Sequence, residues 1–219
     1  MIKGAIFDMD GTLTDSMHIW SAVGPKYLRS IGYEPREGLS DVVRGMSLYQ
    51  GACYYKSEYG VTLSLEEIMN GVNAIVEELY MTDTSLKHGA QEFLLRLKEM
   101  GVKMCIASAT DRYLVEKLLK KLGILHYFDE IFTCGSVGHG KDEPVIYREA
   151  LKYLGTEKSK TVVFEDAFYA LNTVKNDGFL AAVIYDKHEK RREQMKELAD
   201  VYMDDYADAE NFFSFAKSL

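Results

Sequence analysis

Five short apolar segments stand out along the chain, and within each of them apolar and polar positions show little alternation. The segments are rich in Val, Ile, Phe and Ala, which is typical of parallel strands that are covered on both faces. The pattern therefore predicts five buried strands, over residues 3–8, 103–109, 130–135, 161–166 and 180–186.

Segments with apolar residues at helical spacing separate the predicted strands. Residues 90–100, 113–122 and 145–154 each carry apolar side chains on one helix face, and a glycine follows each segment, as is typical of a helix end. Strands that alternate with helices predict an α/β fold with a doubly wound parallel sheet. Towards the C-terminus the pattern predicts a charged helix over 189–198, an edge strand over 201–203 and a helix over 208–217.

One connection is too long for a single crossover helix. About ninety residues separate the first two predicted strands, whereas a crossover needs about a dozen or somewhat more. Residues 16–83 show several helical patterns and little strand pattern. We therefore expect a small inserted α-helical cap domain over 16–83, and a core domain formed by 1–15 and 84–219.

Composition narrows the class of protein. The 219 residues carry a formal net charge of −8, which disfavours non-specific binding to nucleic acid or to an anionic membrane. The three cysteines are far apart and lack CxxC spacing, so we expect reduced thiols, two of them in core strands, rather than disulfides or a zinc site. The sequence shows neither a signal-peptide pattern nor an apolar run of membrane-spanning length, so we expect a soluble cytoplasmic protein.

Two pairs of carboxylates follow predicted strands. Asp8 and Asp10 end the first strand, and Gly11 permits a turn there. Glu165 and Asp166 end the fourth strand. Because the carboxyl ends of parallel strands open on one edge of the sheet, the four carboxylates should converge, which is costly without a cation. Such an oxygen-rich cage suits Mg²⁺, although the first pair alone would also fit a strand-end turn and a helix cap.

Polar groups at the same edge are suited to phosphate. The second predicted strand ends in Ser108, Ala109 and Thr110, which supply hydroxyls and backbone N–H groups at a helix start. Lys141 lies in the loop after the third strand. Plain N-capping is the alternative for the two hydroxyls, and a solvated charge is the alternative for the lysine. The shared edge favours phosphate binding.

The order of these features resembles the haloacid dehalogenase (HAD) superfamily. The stretch DMDGTLTDS, then Ser108, then Lys141 in GKDEPVIY, then VVFEDA match its four motifs over nearly the whole chain. The insert after the first motif resembles the mobile helical cap of the β-phosphoglucomutase-like branch. The resemblance implies a Mg²⁺-dependent phosphatase that hydrolyses a small phosphate monoester, such as a sugar phosphate, through an aspartyl-phosphate.

The resemblance also implies roles for single residues. Asp8 would be the nucleophile, and Asp10 would act first as general acid and then as general base. Mg²⁺ would be held by the Asp8 side chain, the Asp10 main-chain carbonyl and Asp166, with Glu165 acting through a metal-bound water. Phosphoryl oxygens would contact Ser108, Lys141 and the backbone N–H groups of Met9, Asp10 and Ala109, and the catalytic set would be Asp8, Asp10, Ser108 and Lys141.

Three positions depart from the family pattern. Asp142 replaces the usual proline after Lys141, and it could weaken phosphate binding by pairing with Lys141 or Arg112. Ala167 and Ala170 stand where the family often has serine and glycine. We expect these changes to have mild effects.

Substrate specificity should come from the cap. The candidate substrate contacts are His18, Trp20 and Arg44, and Arg44 is favoured because RGMS resembles the specificity loop of relatives. Packing inside the cap is the alternative for Trp20, and a surface or hinge position is the alternative for His18.

Other functions are kept as alternatives. A β-phosphoglucomutase-type phosphomutase shares the cap, but Leu48 stands where that enzyme has an arginine, so hydrolysis is preferred. A non-catalytic phospho-aspartate signalling module would need no insert. Residues 135–141 fit G-x-x-x-x-G-K, but Asp142 replaces the hydroxyl of a P-loop, so we treat that match as a coincidence.

The expected partner is a small phosphorylated metabolite, without nucleic acid or membrane, and the expected assembly is a monomer or a weak homodimer.

Overall fold

Eight strands form two sheets in this computed structural model, which describes residues 1–43 and 46–219. The strands are β1 (Gly4–Phe7), β2 (Thr14–Asp15), β3 (Ser85–Leu86), β4 (Lys103–Ser108), β5 (Glu130–Thr133), β6 (Thr161–Glu165), β7 (Leu180–Ile184) and β8 (Val201–Met203). β2 and β3 pair as a short antiparallel ribbon. The other six strands form one parallel sheet in the order β5-β4-β1-β6-β7-β8.

The chain divides into two compact units. The core unit consists of Met1–Asp15 and Ser85–Leu219, and the helical unit consists of Ser16–Thr84. The helical unit contains α1 (Met17–Ser30), α2 (Leu39–Val43), α3 (Leu48–Tyr59) and α4 (Leu65–Thr82). The core unit contains α5 (Ala90–Glu99), α6 (Arg112–Lys121), α7 (Cys134–Val137), α8 (Val145–Leu154), α9 (Phe168–Asn176), α10 (Arg192–Leu198) and α11 (Glu210–Ser218).

The sheet winds outward in both directions from its central strand. From β1 the chain passes to β4 and β5 on one side, then returns to β6 beside β1 and continues to β7 and β8. Crossovers of this kind are right-handed as a rule, and a sheet that winds in both directions then carries helices on both faces. Every residue of β1 and β6 is buried, as such a covered sheet requires. The predicted α/β fold with a doubly wound parallel sheet is confirmed. Arg44, a candidate substrate contact, lies outside the described residues.

Three local predictions need correction. The third predicted strand is shorter than expected, because Thr133 Oγ1 accepts a hydrogen bond from Ser136 N at 3.1 Å and starts α7 there. Buried Cys134 therefore belongs to a helix start rather than to a strand, and all three cysteines are free thiols. The charged helix begins at Arg192, three residues late, because the Glu189 carboxylate accepts a hydrogen bond from Arg191 N at 2.8 Å. Helix α9 has no counterpart among the predicted elements.

The helical unit has two helices with well-defined starts. At both starts a serine hydroxyl accepts a backbone hydrogen bond three residues on, from Gln50 N to Ser47 and from Glu67 N to Ser64, each at 3.2 Å. The Gln50 and Glu67 side chains return the contact at 2.8 Å, which completes capping boxes for α3 and α4. No helix in the described residues is both long enough and apolar enough to cross a bilayer.

Two glycines in the core unit, Gly89 and Gly101, allow a matched test of what a Cβ costs at a positive φ angle. Gly89 and Gly101 have φ angles of +76° and +73°, which cost a residue with a Cβ about 1–2 kcal/mol. A Cβ on Gly89 would also lie 2.7 Å from Ala207 Cα, whereas one on Gly101 would meet nothing within 4 Å. We expect Gly89→Ala to lower the free energy of unfolding by at least about 3 kcal/mol and Gly101→Ala by about 1 kcal/mol. Denaturant unfolding measures both values, and equal losses would contradict this account.

Candidate active site

The predicted catalytic residues of the core unit lie at one edge of the parallel sheet. Asp8 directly follows β1, and its backbone N–H donates to Phe164 O on β6 at 3.0 Å, which fixes it at the strand end. Ser108 ends β4, Glu165 ends β6 and Asp166 is the next residue. Because β1 lies between β4 and β6, all four polar side chains come from three adjacent strands. The topology therefore brings together residues that are far apart in the sequence.

Lys141 joins two of these carboxylates. Its ammonium Nζ lies 2.5 Å from Asp8 Oδ1 and 2.7 Å from Glu165 Oε1. All three side chains are buried. The same Glu165 oxygen accepts a hydrogen bond from the Tyr147 hydroxyl at 2.7 Å. Tyr147, on α8, was not identified from the sequence, because only the rotation of that helix about its axis brings the hydroxyl to β6.

Burial and the neighbouring charges have opposite effects on the pKa values of Asp8 and Lys141. Burial raises the pKa of Asp8 to about 7, even though the adjacent Lys141 ammonium favours the charged carboxylate. Burial alone would lower the pKa of Lys141, but the attraction of Asp8 and Glu165 raises it well above its usual value. Lys141 is therefore a permanent cation at this edge. Burial and the contact with Glu165 also raise the pKa of the Tyr147 phenol, so this hydroxyl stays protonated and donates.

The carboxylates could hold a divalent cation. One oxygen from each of Asp8, Glu165 and Asp166 lies within 4.8 Å of the others. Among the described residues, buried Asp8 Oδ2 and Asp166 Oδ2 have no hydrogen-bond partner. Burial raises the pKa of Asp166 well above its usual value, and the charge of Asp8 adds to this shift. Unsatisfied carboxylate oxygens of this kind are ligands for a hard cation such as Mg²⁺, so the residues fit the expected metal.

A tight turn follows Asp8. Gly11, with a φ of 85°, permits the reversal, and its N–H donates to Thr14 O at 3.0 Å. Met9 O accepts from the N–H groups of Leu13 and Thr14 at 2.9 and 3.1 Å. The Thr12 hydroxyl donates to Asp166 Oδ1 at 3.2 Å. The turn thus positions one of the two Asp166 oxygens, a role of Thr12 that sequence reasoning missed.

Asp10, the second aspartate of the first motif, is held by the hydroxyl of a threonine. Thr110 Oγ1 donates to Asp10 Oδ2 at 2.8 Å, and Thr110 N donates to Ser108 Oγ at 3.1 Å. Asp10 is only partly buried, whereas Asp8 is almost fully buried. The hydroxyl of Thr110 therefore orients Asp10, in place of the simple helix-capping role considered from the sequence.

The two candidate partners of Asp142, Lys141 and Arg112, form ion pairs with other carboxylates. Lys141 pairs with Asp8 and Glu165, as described above. Arg112 pairs with Glu116 at 2.8 Å and with Glu130 at 2.6 Å. Both cations are thus engaged with other carboxylates, so the replacement of proline by Asp142 leaves the lysine in place.

In the helical unit, two candidate substrate contacts have defined surroundings. His18 Nε2 lies 3.1 Å from Asp83 O and 3.2 Å from Asp83 Oδ2, which ties the first turn of α1 to the residue after α4. Trp20 is partly buried on α1, and its buried Nε1 has no hydrogen-bond partner among the described residues. These positions do not assign a substrate contact to either side chain.

Comparisons with known proteins agree with this architecture. The chain is 27% identical to validoxylamine A 7′-phosphate phosphatase of Streptomyces hygroscopicus subsp. limoneus, over 86% of this chain and 88% of that one. It is 26% identical to a phosphorylated carbohydrates phosphatase of Thermotoga maritima, over 81% and 82%. It is also 25% identical to β-phosphoglucomutase of Bacillus subtilis, over 82% of each chain.

The fold also matches solved structures. A mutant of CbbY of Rhodobacter sphaeroides, determined in complex with xylulose-1,5-bisphosphate, superposes with a TM-score of 0.85 at 21% identity, over 96% of this chain and 97% of that one. A family model for haloacid dehalogenase-like hydrolases matches residues 2–170, and this span includes all the candidate catalytic and metal-binding residues of the core unit. The chain belongs to the haloacid dehalogenase-like hydrolase family.

Proposed function

We propose that the protein is a Mg²⁺-dependent phosphatase that hydrolyses a small phosphate monoester through an aspartyl-phosphate on Asp8. The observation that carries this proposal is the state of the Asp8 carboxylate. One of its oxygens is held by Lys141 Nζ at 2.5 Å, while the other is buried without a hydrogen-bond partner in the described residues. This carboxylate lies beside Asp166, with one oxygen held by an ammonium group and the other unsatisfied. It is therefore suited to bind a metal cation and to attack a phosphoryl group.

In the first step, an Asp8 oxygen attacks phosphorus. The new bond joins Asp8 to the phosphoryl group, and the bond from phosphorus to the ester oxygen breaks. Asp10 gives its proton to that leaving oxygen, so an alcohol departs. The contact from Thr110 holds the Asp10 carboxyl in one orientation for this transfer.

In the second step, Asp10 takes a proton from water. The water oxygen bonds to phosphorus and the bond to Asp8 breaks, which releases inorganic phosphate and restores the enzyme. Ser108, Lys141 and the backbone N–H groups of Met9, Asp10 and Ala109 would bind the phosphoryl oxygens.

Asp8, Asp166 and the Asp10 carbonyl would hold Mg²⁺, with Glu165 acting through water. The cation would reduce the repulsion between an anionic nucleophile and an anionic ester. Glu165 is well placed for an indirect role, because its Oε1 already accepts hydrogen bonds from Lys141 and Tyr147.

The substrate class is inferred from the relatives. One similar protein is a phosphorylated carbohydrates phosphatase and another is a validoxylamine A 7′-phosphate phosphatase, which favours a sugar phosphate or a similar metabolite. We assign substrate selection to the helical unit as a cap, with His18, Trp20 and Arg44 as candidate contacts. A phosphomutase is the second candidate, because one relative is a β-phosphoglucomutase.

Asp8→Asn should remove phosphatase activity. The amide keeps the shape of the side chain but lacks the charge and nucleophilicity of the carboxylate, so we expect at least roughly a thousandfold loss of phosphate release. The matched control is Asp177→Asn, because Asp177 is also a largely buried carboxylate with lysine and arginine partners, but it lies after α9, at the opposite edge of the sheet. The control should keep its activity. Near-normal turnover by Asp8→Asn would overturn the mechanism.

Divalent metal should be required. Excess EDTA should abolish turnover, added Mg²⁺ should restore it, and Ca²⁺ should inhibit because its longer bonds and higher coordination number draw Asp8 away from attack. Isothermal calorimetry gives a second readout, in which Asp166→Asn should lose most Mg²⁺ binding while the protein stays folded. Full activity in EDTA, or unchanged Mg²⁺ binding by the variant, would contradict the assigned site.

Hydrolysis should prevail over phosphoryl transfer between sugar positions. With β-glucose 1-phosphate and a trace of the 1,6-bisphosphate, and with a panel of other phosphorylated metabolites, we expect inorganic phosphate as the product. The reason is Leu48, which cannot grip a second phosphate as the arginine of the mutase does; one lost charge-assisted contact weakens binding by about ten- to a hundredfold. Rapid formation of glucose 6-phosphate without phosphate release would establish the mutase instead.

A further inference from the structure

Lys87 connects two segments that flank the metal-binding carboxylates. It follows β3 directly, and its backbone N–H donates to Leu13 O at 2.9 Å. Its Nζ donates to Tyr185 O at 2.6 Å and to Asp186 Oδ2 at 3.0 Å. The Lys87 side chain is 12% exposed and that of Asp186 is 1% exposed, so this ion pair is shielded from water. The residue therefore joins the turn after β1 to the end of β7.

The two joined segments lie on either side of β6. In the sheet β6 is the neighbour of both β1 and β7, and Asp166 directly follows it. On one side, Leu13 is adjacent to Thr12, whose hydroxyl donates to Asp166 Oδ1. On the other side, the Asp186 side chain is fixed by a local backbone contact, since its Oδ1 accepts a hydrogen bond from His188 N at 2.8 Å. The contacts of Lys87 thus span the end of the strand that presents Asp166.

The positive charge of Lys87 also affects the electrostatics of the acidic site. Asp186 adds one more buried carboxylate near an edge that already holds Asp8, Glu165 and Asp166. Burial and the charge of Asp8 are the larger influences on the pKa of Asp166, but Asp186 also raises it and Lys87 lowers it. The pair therefore acts electrostatically on Asp166 without touching it.

We propose that Lys87 is a positioning residue, which holds the Met9–Thr14 turn against the end of β7 and neutralises Asp186, so that Asp10, Thr12 and Asp166 keep their places. This inference rests on the proposed phosphatase function for its kinetic consequences. Its structural consequence, a more mobile turn when the ammonium is removed, does not depend on any substrate.

The matched test compares two lysines with the same kind of contacts. Lys158 Nζ donates to Asp177 O at 2.8 Å and to Asp177 Oδ2 at 2.9 Å, but it precedes β6 and lies at the opposite edge of the sheet. We would compare Lys87→Met with Lys158→Met, and use Lys87→Arg as the conservative variant. Each variant is first checked for a wild-type circular dichroism spectrum.

Hydrogen exchange of the Gly11, Leu13 and Thr14 amides is the first readout, because all three are bonded within the turn. In Lys87→Met we expect exchange at least about fivefold faster at these amides, with no change in Lys158→Met. The second readout is kinetic: kcat should fall about tenfold or more with a smaller change in KM, and Lys87→Arg should recover most of the loss.

The outcomes separate the two claims. Unchanged exchange in a folded Lys87→Met protein would overturn the positioning role, as would an equal effect of Lys158→Met. If Lys87→Met does not fold, Asp186→Asn replaces it; faster exchange at the same amides would support the role and unchanged exchange would overturn it. If the wild-type protein releases no phosphate from any ester, the proposed function fails, while the exchange result still decides the role of Lys87.

Discussion

The acidic edge of the sheet depends on one buried ammonium group. Lys141 Nζ lies between Asp8 and Glu165, and without it two carboxylates would face each other in a site shielded from water. Removing one partner of a buried ion pair typically costs about 3–5 kcal/mol, because the remaining charge is left without compensation. The lysine thereby opposes the effect of burial on Asp8 and favours its charged form, although burial still raises the pKa of this carboxyl to about 7. The unpartnered Asp8 oxygen is suited to receive a cation.

The doubly wound topology makes this arrangement possible. Asp8, Ser108 and Asp166 are separated by long stretches of sequence, yet they follow or end three neighbouring strands, β1, β4 and β6. Rigid strands fix the backbone of these residues, and short polar contacts then orient their side chains. Thr12 holds one oxygen of Asp166, and Thr110 holds one oxygen of Asp10. Chemistry that requires several charged groups within a few ångströms is thus supported by residues at the ends of regular, buried strands.

The apolar pattern was sufficient to predict the parallel strands and the fold class, because strands buried on both faces leave a continuous apolar signal. The same topology predicted that carboxylates and a lysine would meet at one edge, and the structure places Asp8, Glu165, Asp166 and Lys141 together. The catalytic roles of these residues remain predictions. Local sequence also misplaced the start of α10, where the buried Glu189 side chain replaces a helical turn.

Contacts that depend on three-dimensional packing could not be predicted. Tyr147 reaches Glu165 only because α8 has one particular rotation about its axis, and an apolar stripe does not fix the target of a hydroxyl on that stripe. Lys87 and Asp186 form a pair although they are almost a hundred positions apart in the sequence. Lys87 lies in the connection after β3, and Asp186 lies just after the end of β7. Neither position belongs to a motif, so only the assembled sheet brings them together.

The most direct measurement is the identification of the phosphorylated residue. A substrate that supports turnover is mixed with the enzyme and quenched with borohydride, which reduces an aspartyl-phosphate to homoserine, and peptide mass spectrometry then locates the modified position. We expect homoserine at position 8 in the wild-type protein, dependent on both substrate and Mg²⁺. Modification of another residue, or turnover with no trapped residue at position 8 under conditions of rapid quench, would contradict it.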